Sequence, residues 1–310
     1  MPVLDGAAVE RAVSPAGAVD AVRDAFVAHA RGEWSMPPKV YVTNYPAGDF
    51  RAMPALGGGY ALLKWINSFP GNPAQGLPTV SGVVLLSDAS NGALRAVLDA
   101  ASVTALRTGA AAVLAAEALG RADAASASVI GTGVNGRAAA RTFLARGRSV
   151  SLWDVDVARA EHAAAELGAD VAPSLDAALA ADVVVTVTPG HEVVIRDGTL
   201  RPGQHVSLMG ADGPGKAEAA GAELARARLF CDDWEQASHG GELAHVVEDG
   251  TVGPDDVTAI GEVLTGAQTG RTGDDEITMF DSTGLAIQDL AIAVAAIESA
   301  ALDGLPTIEL

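Results

Sequence analysis

The chain has 310 residues, 49% of them hydrophobic, a single cysteine and a formal net charge of −19. That length gives two domains or one large one with ample core, and so acidic a balance argues against nucleic acid or an anionic membrane as partner. The lone Cys231 rules out an internal disulfide framework; with no signal-like N-terminus and no apolar run near the ~20 residues of a membrane span, a cytoplasmic protein is expected.

The charge is unevenly spread. Residues 1–120 hold nine acids and eight bases, whereas residues 121–310 hold thirty and twelve. A near-neutral first third in so acidic a chain fits a subunit interface, an anion-binding site, or both. Only three lysines stand against seventeen arginines: Lys39, Lys64 and Lys216. A retained lysine offers what a guanidinium does not, a proton that can be shed near neutral pH.

In chain order, Ser14-Pro15 is a capping hydroxyl followed by proline at the first helical position, and the helix should run to about Ala30 with Val19, Val22 and Phe26 buried. Short β-rich runs follow at Lys39–Thr43, Phe50–Met53 and Ala61–Ile66, then a hairpin formed by Ser81–Ser87 and Leu94–Asp99. Strands without intervening helices predict a mixed or antiparallel sheet. The Ala-rich stretch Ser102–Leu119 reads as a helix leading into the second domain. Strands then alternate with helices, at 127–131, 149–154, 169–172, 182–188, 205–210 and 228–232. Helix signals return at Val257–Leu264 and Leu285–Leu302, and the last should pack back on the N-terminal domain. The expected fold class is α/β: a Rossmann-type doubly wound parallel sheet domain over 121–283, plus a discontinuous α+β substrate and dimerisation domain over 1–120 and 284–310.

One stretch organises the second domain. The apolar Val129-Ile130 leads into Gly131-x-Gly133-x-x-Gly136, and the helix-prone Arg137–Ala145 follows. In that context the first glycine makes a tight turn, the second admits a pyrophosphate and the third lets helix pack on strand. The run Ser149–Asp154 reads as a second strand ending in an acid, 23 residues after Gly131. An acid there accepts from ribose hydroxyls and repels a 2′-phosphate, so NAD is expected over NADP. The plainer alternative is a surface acid after an ordinary βαβ turn.

Other residues bear on chemistry. Lys64 alternates with Leu62 and Ile66, which makes it either an edge-strand charge or a buried functional amine. Arg51 begins another strand. Arg107 precedes the small residues Gly109 to Ala112, which suits a bidentate grip on a carboxylate or phosphate, or a plain helix-surface position. The segment Ser207–Lys216 leaves a parallel strand at its carboxyl end, the cofactor side of such sheets, so Asp212 and Lys216 are either site residues or parts of an ordinary turn. The six histidines show no metal spacing, and neither a GxSxG elbow nor a Walker loop is present, so no metal is expected.

Longer motifs carry a resemblance. Met36–Lys39, Gly48–Pro54, Lys64–Pro73, Gly76–Thr79, Thr104–Gly109, Gly210–Lys216, Asp232–Ala237, His239–Glu242 and Phe280–Asp289 together resemble the ornithine cyclodeaminase/mu-crystallin family, nearest its alanine dehydrogenase branch. The resemblance implies that Lys64 and Asp212 are an acid–base pair and that Arg51 with Lys39 holds a substrate carboxylate. It places Arg107 against the nicotinamide end of NAD. It lines the cofactor with Gly131, Gly133, Val134, Asn135, Gly136, Asp154, Val155, Asp156, Gly210, Ala211, Asp212, Lys216 and Ser282. It also implies a homodimer joined through the N-terminal sheet. Many cyclodeaminases have arginine where Lys39 stands and cysteine where Gly213 stands; both departures favour the amino-acid dehydrogenase branch. The implied activity is NAD-dependent oxidation at the C–N bond of a small 2-amino acid, alanine first, to a 2-oxo acid and ammonia, or the reverse imine reduction. Alternatives are an ornithine cyclodeaminase, an imino-acid (ketimine) reductase, or a mu-crystallin-like ligand-binding protein.

Overall fold

The first long helix begins where the cap demands. Ser14 Oγ accepts the Gly17 N–H at 3.1 Å, Pro15 opens the helix, and it ends at Ala30 with Val19, Val22 and Phe26 fully buried. The computed structural model describes residues 1–190, 192–213, 215–299 and 304–309. By contacts the chain forms two units: residues 1–107 with 285–310, and residues 108–284. The division falls inside helix Ala100–Leu119, whereas the sequence reading sets it just past the end of that helix, at 120.

The first unit is a six-stranded sheet made from β1 (Val3–Leu4), β2 (Val40–Asn44), β3 (Gly48–Gly57), β4 (Tyr60–Ser68), β5 (Val80–Asp88) and β6 (Leu94–Asp99). Its order is β1-β6-β5-β4-β3-β2, antiparallel except for the parallel pair β1–β6. The strands predicted short at 50–53 and 61–66 extend at both ends into a long meander. With β3 and β5 on either side, β4 is interior, which removes the edge-strand reading of Lys64. Side chains alternate in period 2. Leu62, Lys64 and Ile66 face inward and are buried, while Leu63 and Trp65 face outward and are exposed.

Two helices build on the inward face. The C-terminal helix Ala286–Ser299 lies on β3, β4 and β5, and helix Pro15–Ala30 packs on it. It is apolar on most sides because it has neighbours on most sides. The predicted end at Leu302 lies outside the described residues.

The second unit is an eight-stranded parallel sheet of β7 (Ala127–Ile130), β8 (Ser151–Trp153), β9 (Asp170–Val171), β10 (Val183–Thr186), β11 (His205–Leu208), β12 (Arg228–Cys231), β13 (Val257–Ala259) and β14 (Thr278–Asp281). Its order is β13-β12-β14-β11-β10-β7-β8-β9. The order reverses between β7 and β10, the topological switch point at which doubly wound sheets bind ligands. Val184, Val206, Leu208 and Met279 are in its core.

Two expectations are corrected, and one strand adds to those expected. Thr278–Asp281 is a strand, inserted between β11 and β12, so the chain returns to the middle of the sheet before leaving the unit. Val257–Ala259 is an edge strand, and only Ile260–Thr265 beyond it is helical. Helix Ala100–Leu119 is long and apolar enough in composition to cross a membrane, contrary to the reading that no such run exists; 72% of its apolar window is buried inside the protein, as in a core helix.

Candidate functional site

In the second unit the glycine turn follows β7. Gly131 has φ +97°, and a Cβ there would sit 2.5 Å from the Val187 carbonyl oxygen, so no other residue fits. A Cβ at Gly136 would collide with the Gly131 carbonyl, which is how the third glycine brings helix Val134–Ala145 against the strand. Gly133 faces open space. It is the N-cap of that helix and gives no side-chain hydrogen bond to the first turn, so the N–H groups of Val134 and Asn135 stand over that space uncapped. Free N–H groups at a dipole's positive end are an anion site, and a Cβ at Gly133 would fill the room a phosphate needs. The residues present therefore fit a dinucleotide pyrophosphate.

Asp154 follows β8 and is buried. Its Oδ2 accepts the Thr132 N–H at 2.7 Å and the Thr132 hydroxyl at 2.9 Å, and its Oδ1 accepts the Asp156 N–H at 3.0 Å. Burial pushes its pKa up, but the Thr132 and Asp156 hydrogen bonds outweigh burial and hold it below the usual carboxylate range. It thus carries charge beside the glycine turn, with exposed Val134, Val155 and Asp156 around it.

Past β11, Gly210 and Ala211 are buried, and Lys216 Nζ lies 2.6 Å from Asp212 Oδ1. Asp212 and Lys216 thus meet as an i,i+4 ion pair rather than as isolated turn residues. Ser282, just beyond β14, is buried and donates its hydroxyl to Asp232 at 3.2 Å. Cys231 ends β12 deep in the core, and burial pushes its thiol well up, so it is an inert packing residue.

In the first unit, Arg51 of β3 and Lys64 of β4 share the inward face, diagonal across the register Arg51↔Ile66 and Met53↔Lys64. Tyr41 pairs with Arg51 from β2, and its ring lies 5.3 Å from the guanidinium carbon. Arg51 Nε also donates to Asp49 at 2.7 Å. Lys39 precedes β2 and is half-buried. Lys64 is 1% exposed; its Nζ is 2.6 Å from Asp289 Oδ2 and 3.4 Å from Thr104 Oγ1. Arg107 Nε lies 3.4 Å from the other oxygen of Asp289. Burial lowers the Lys64 pKa to about 7; Asp289 opposes burial, while Arg107 and Lys39 reinforce it.

Asp289 was not among the residues singled out from sequence, although it closes the last motif. An acid in a helix that is apolar on most sides is the signal that marks it, since an unpaired carboxylate is not buried in a core.

A doubly wound sheet with an uncapped glycine turn and an acid after its second strand defines a dinucleotide-binding protein, here joined in one chain to a unit with a buried cation cluster. The chain belongs to the ornithine cyclodeaminase/mu-crystallin family, whose model matches residues 2–303. It is similar to an alanine dehydrogenase of Archaeoglobus fulgidus, 43% identical over 96% of this chain and 94% of that protein. Among solved structures it resembles one described as an archaeal alanine dehydrogenase dimer with bound NAD, at 40% identity and TM-score 0.94 over 100% of this chain and 99% of that one. It also resembles the iminosuccinate reductase of Paracoccus denitrificans in complex with NAD+, at 30% identity and TM-score 0.91 over 100% and 99% of the two chains.

Proposed function

We propose that this protein is an NAD-dependent dehydrogenase of a small 2-amino acid, alanine first: amino acid, NAD+ and water give 2-oxo acid, ammonium, NADH and a proton. Relatives that are NAD-bound or named as dehydrogenases and reductases share its whole length, and it is an NAD-dependent oxidoreductase of that kind. The observation that carries the finer reading is Lys64, a fully buried amine with a pKa lowered to about 7, on a sheet face shared with a second cation, Arg51. A general base works best when its pKa is near the working pH.

The residues that would hold NAD are the turn Gly131, Gly133, Val134, Asn135 and Gly136, the acids Asp154 and Asp156 with Val155, the segment Gly210, Ala211, Asp212 and Lys216, and Ser282, with Arg107 at the nicotinamide end. When bound, NAD supplies the two-electron acceptor. Arg51 and Lys39 hold the substrate carboxylate, a task for cations on one face. Lys64 in its neutral form takes a proton at Nζ from the water that attacks the oxidised carbon, and Asp212 is the second proton carrier. The exposed outward face of the first sheet, apolar through Val40, Val42, Leu56, Leu63, Trp65 and Val83, is the dimer interface.

The test is NADH formation followed by absorbance, with amino acids and NAD in one arm and 2-oxo acids, ammonia and NADH in the other. Net NADH from alanine supports the proposal. Ornithine converted to proline and ammonia with no net NADH would replace it by cyclodeamination, and NADH consumed only with preformed imines would replace it by imine reduction. Binding without turnover would leave a ligand-binding protein.

A further inference from the structure

We propose that Asp289 is a positioning residue for Lys64: its carboxylate holds the amine in the core and sets how readily that amine gives up its proton. The proposal deepens the dehydrogenase reading and rests on Lys64 being its proton carrier.

The geometry is a buried ionic cluster assembled from three elements. Lys64 comes from β4, the central strand of its meander. Asp289 comes from the first turn of the C-terminal helix, where the dipole's positive end favours a carboxylate. Arg107 and Thr104 come from helix Ala100–Leu119. Asp289 is 0% exposed and lies between the two cations, 2.6 Å from Lys64 Nζ and 3.4 Å from Arg107 Nε. Each of its oxygens faces one of the two cations, so opposite charge holds it from both sides. The groups that face Lys64 are Asp289, Arg107, Lys39 and the Thr104 hydroxyl.

Consider the amine without that carboxylate. A fully buried ammonium beside a guanidinium and a second ammonium is disfavoured by desolvation and by repulsion alike, and the group would be neutral well below pH 7. Among the described residues, Asp289 supplies the opposing charge. Its attraction is large enough to keep the proton within reach at neutral pH, but not large enough to cancel burial. That intermediate balance distinguishes the cluster from a plain core salt bridge, in which the lysine would stay charged throughout the physiological range. It also explains why a carboxylate is placed at a site devoid of solvent, where a broken pair costs more than a well-packed apolar substitute.

The experiment reads Lys64 directly. The chain has three lysines, so protein labelled with 13C at lysine Cε gives three resonances, and Lys64→Arg identifies the one from Lys64. In the wild type that resonance should titrate near pH 7. In Asp289→Asn its midpoint should fall by roughly one pH unit or more, the size expected for loss of an opposite charge within about 4 Å. The limb of kcat/KM that rises with pH should move down with it. Asp289→Glu, which keeps the charge, should restore the midpoint to within about half a unit; a residue that merely fills space would show no such dependence on charge. If Asp289→Asn does not fold, Arg107→Gln takes its place: removing that cation leaves the carboxylate to Lys64, and the midpoint should rise by about one unit.

A midpoint unmoved in Asp289→Asn, or in Arg107→Gln where that variant must serve, overturns the proposal. A midpoint that moves while Lys64→Arg keeps full activity upholds the coupling of Asp289 to Lys64, overturns its role in catalysis, and removes the dehydrogenase reading's proton carrier. Loss of activity in Lys64→Arg with an unmoved midpoint does the opposite.

Discussion

The Gly210 N–H donates to the Glu218 carboxylate at 2.7 Å, and the same carboxylate accepts the Thr186 hydroxyl and the Thr188 N–H, each at 2.7 Å. One fully buried side chain thereby ties the segment leaving β11 to the segment leaving β10. The N–H groups of Glu218 and Ala219 in turn donate to Glu242, which is also fully buried. Burial pushes both acids up, and the charge of Glu218 pushes Glu242 further. Gly210 has no room for a side chain: a Cβ would lie 2.5 Å from the Glu218 carboxyl carbon. Asp212 and Lys216 lie on the stretch of chain between the two residues so joined.

Glu218→Gln should therefore loosen the segment 210–218, which is proposed to line the cofactor. Both carboxylate oxygens accept, so an amide sets its own N–H against at least one buried donor, a loss of about 1–3 kcal/mol. Urea unfolding should show that loss, and NADH titration followed by tryptophan fluorescence should show weaker binding. Unchanged stability together with unchanged NADH affinity would show that the three hydrogen bonds do not position the loop.

The proposed reading makes Asp154 the residue that sets cofactor choice. NAD should be preferred over NADP by at least roughly tenfold in kcat/KM, about 1.4 kcal/mol, through lost ribose hydrogen bonds and repulsion of the 2′-phosphate. Arg159 lies 3.6 Å from Asp154 and 3.5 Å from Asp156, so it is the cation left for a phosphate once the acid is gone. Asp154→Ser should accordingly narrow the gap. Equal use of both cofactors by the wild-type protein would rule this out.

The glycine turn was legible because strand, turn and helix are contiguous, so each glycine's task follows from its neighbours. Alternation with Leu62 and Ile66 put Lys64 on one face of a strand but left it an edge charge or a buried amine, and only the pairing of β4 on both sides decided between the two. Long-range placement was not legible. Thr278–Asp281 is short and buried throughout, so it has no alternation to betray a strand, and its seat between β11 and β12 is fixed by partners distant in sequence. Val257–Ala259 runs directly into a helix and shares that helix's apolar pattern. Arg107 read equally well as a surface residue; its ion pair with Asp289, formed across distant segments, settles its environment.

The outward sheet face predicts assembly. Phe50 and Trp65 stack at 5.6 Å between ring centroids on that face, within the exposed apolar patch. The wild type should be a homodimer at micromolar concentration by light scattering. Trp65→Asp should shift it toward monomer, because a charge placed in an apolar interface is desolvated without a partner. A monomeric wild type at that concentration would refute the assignment.

Lys64→Arg gives the sharpest division between roles. Arginine keeps the positive charge and can still face Asp289, but it cannot release a proton near neutral pH. NAD binding should stay near normal, since the glycine turn and Asp154 are untouched. The turnover number should fall by ~10²–10⁴, the usual worth of a placed general acid or base. A lysine that only balanced Asp289 would tolerate the change. One that only gripped a carboxylate would show it mainly as a raised KM. The pH profile adds a sign. With the pKa lowered to about 7, the neutral amine that takes the proton is scarce at pH 6 and dominant at pH 8, so wild-type kcat/KM for amino-acid oxidation should rise across that interval. The variant should lack the rise. If Lys64→Arg keeps more than about a tenth of the wild-type kcat, Lys64 is not the proton carrier.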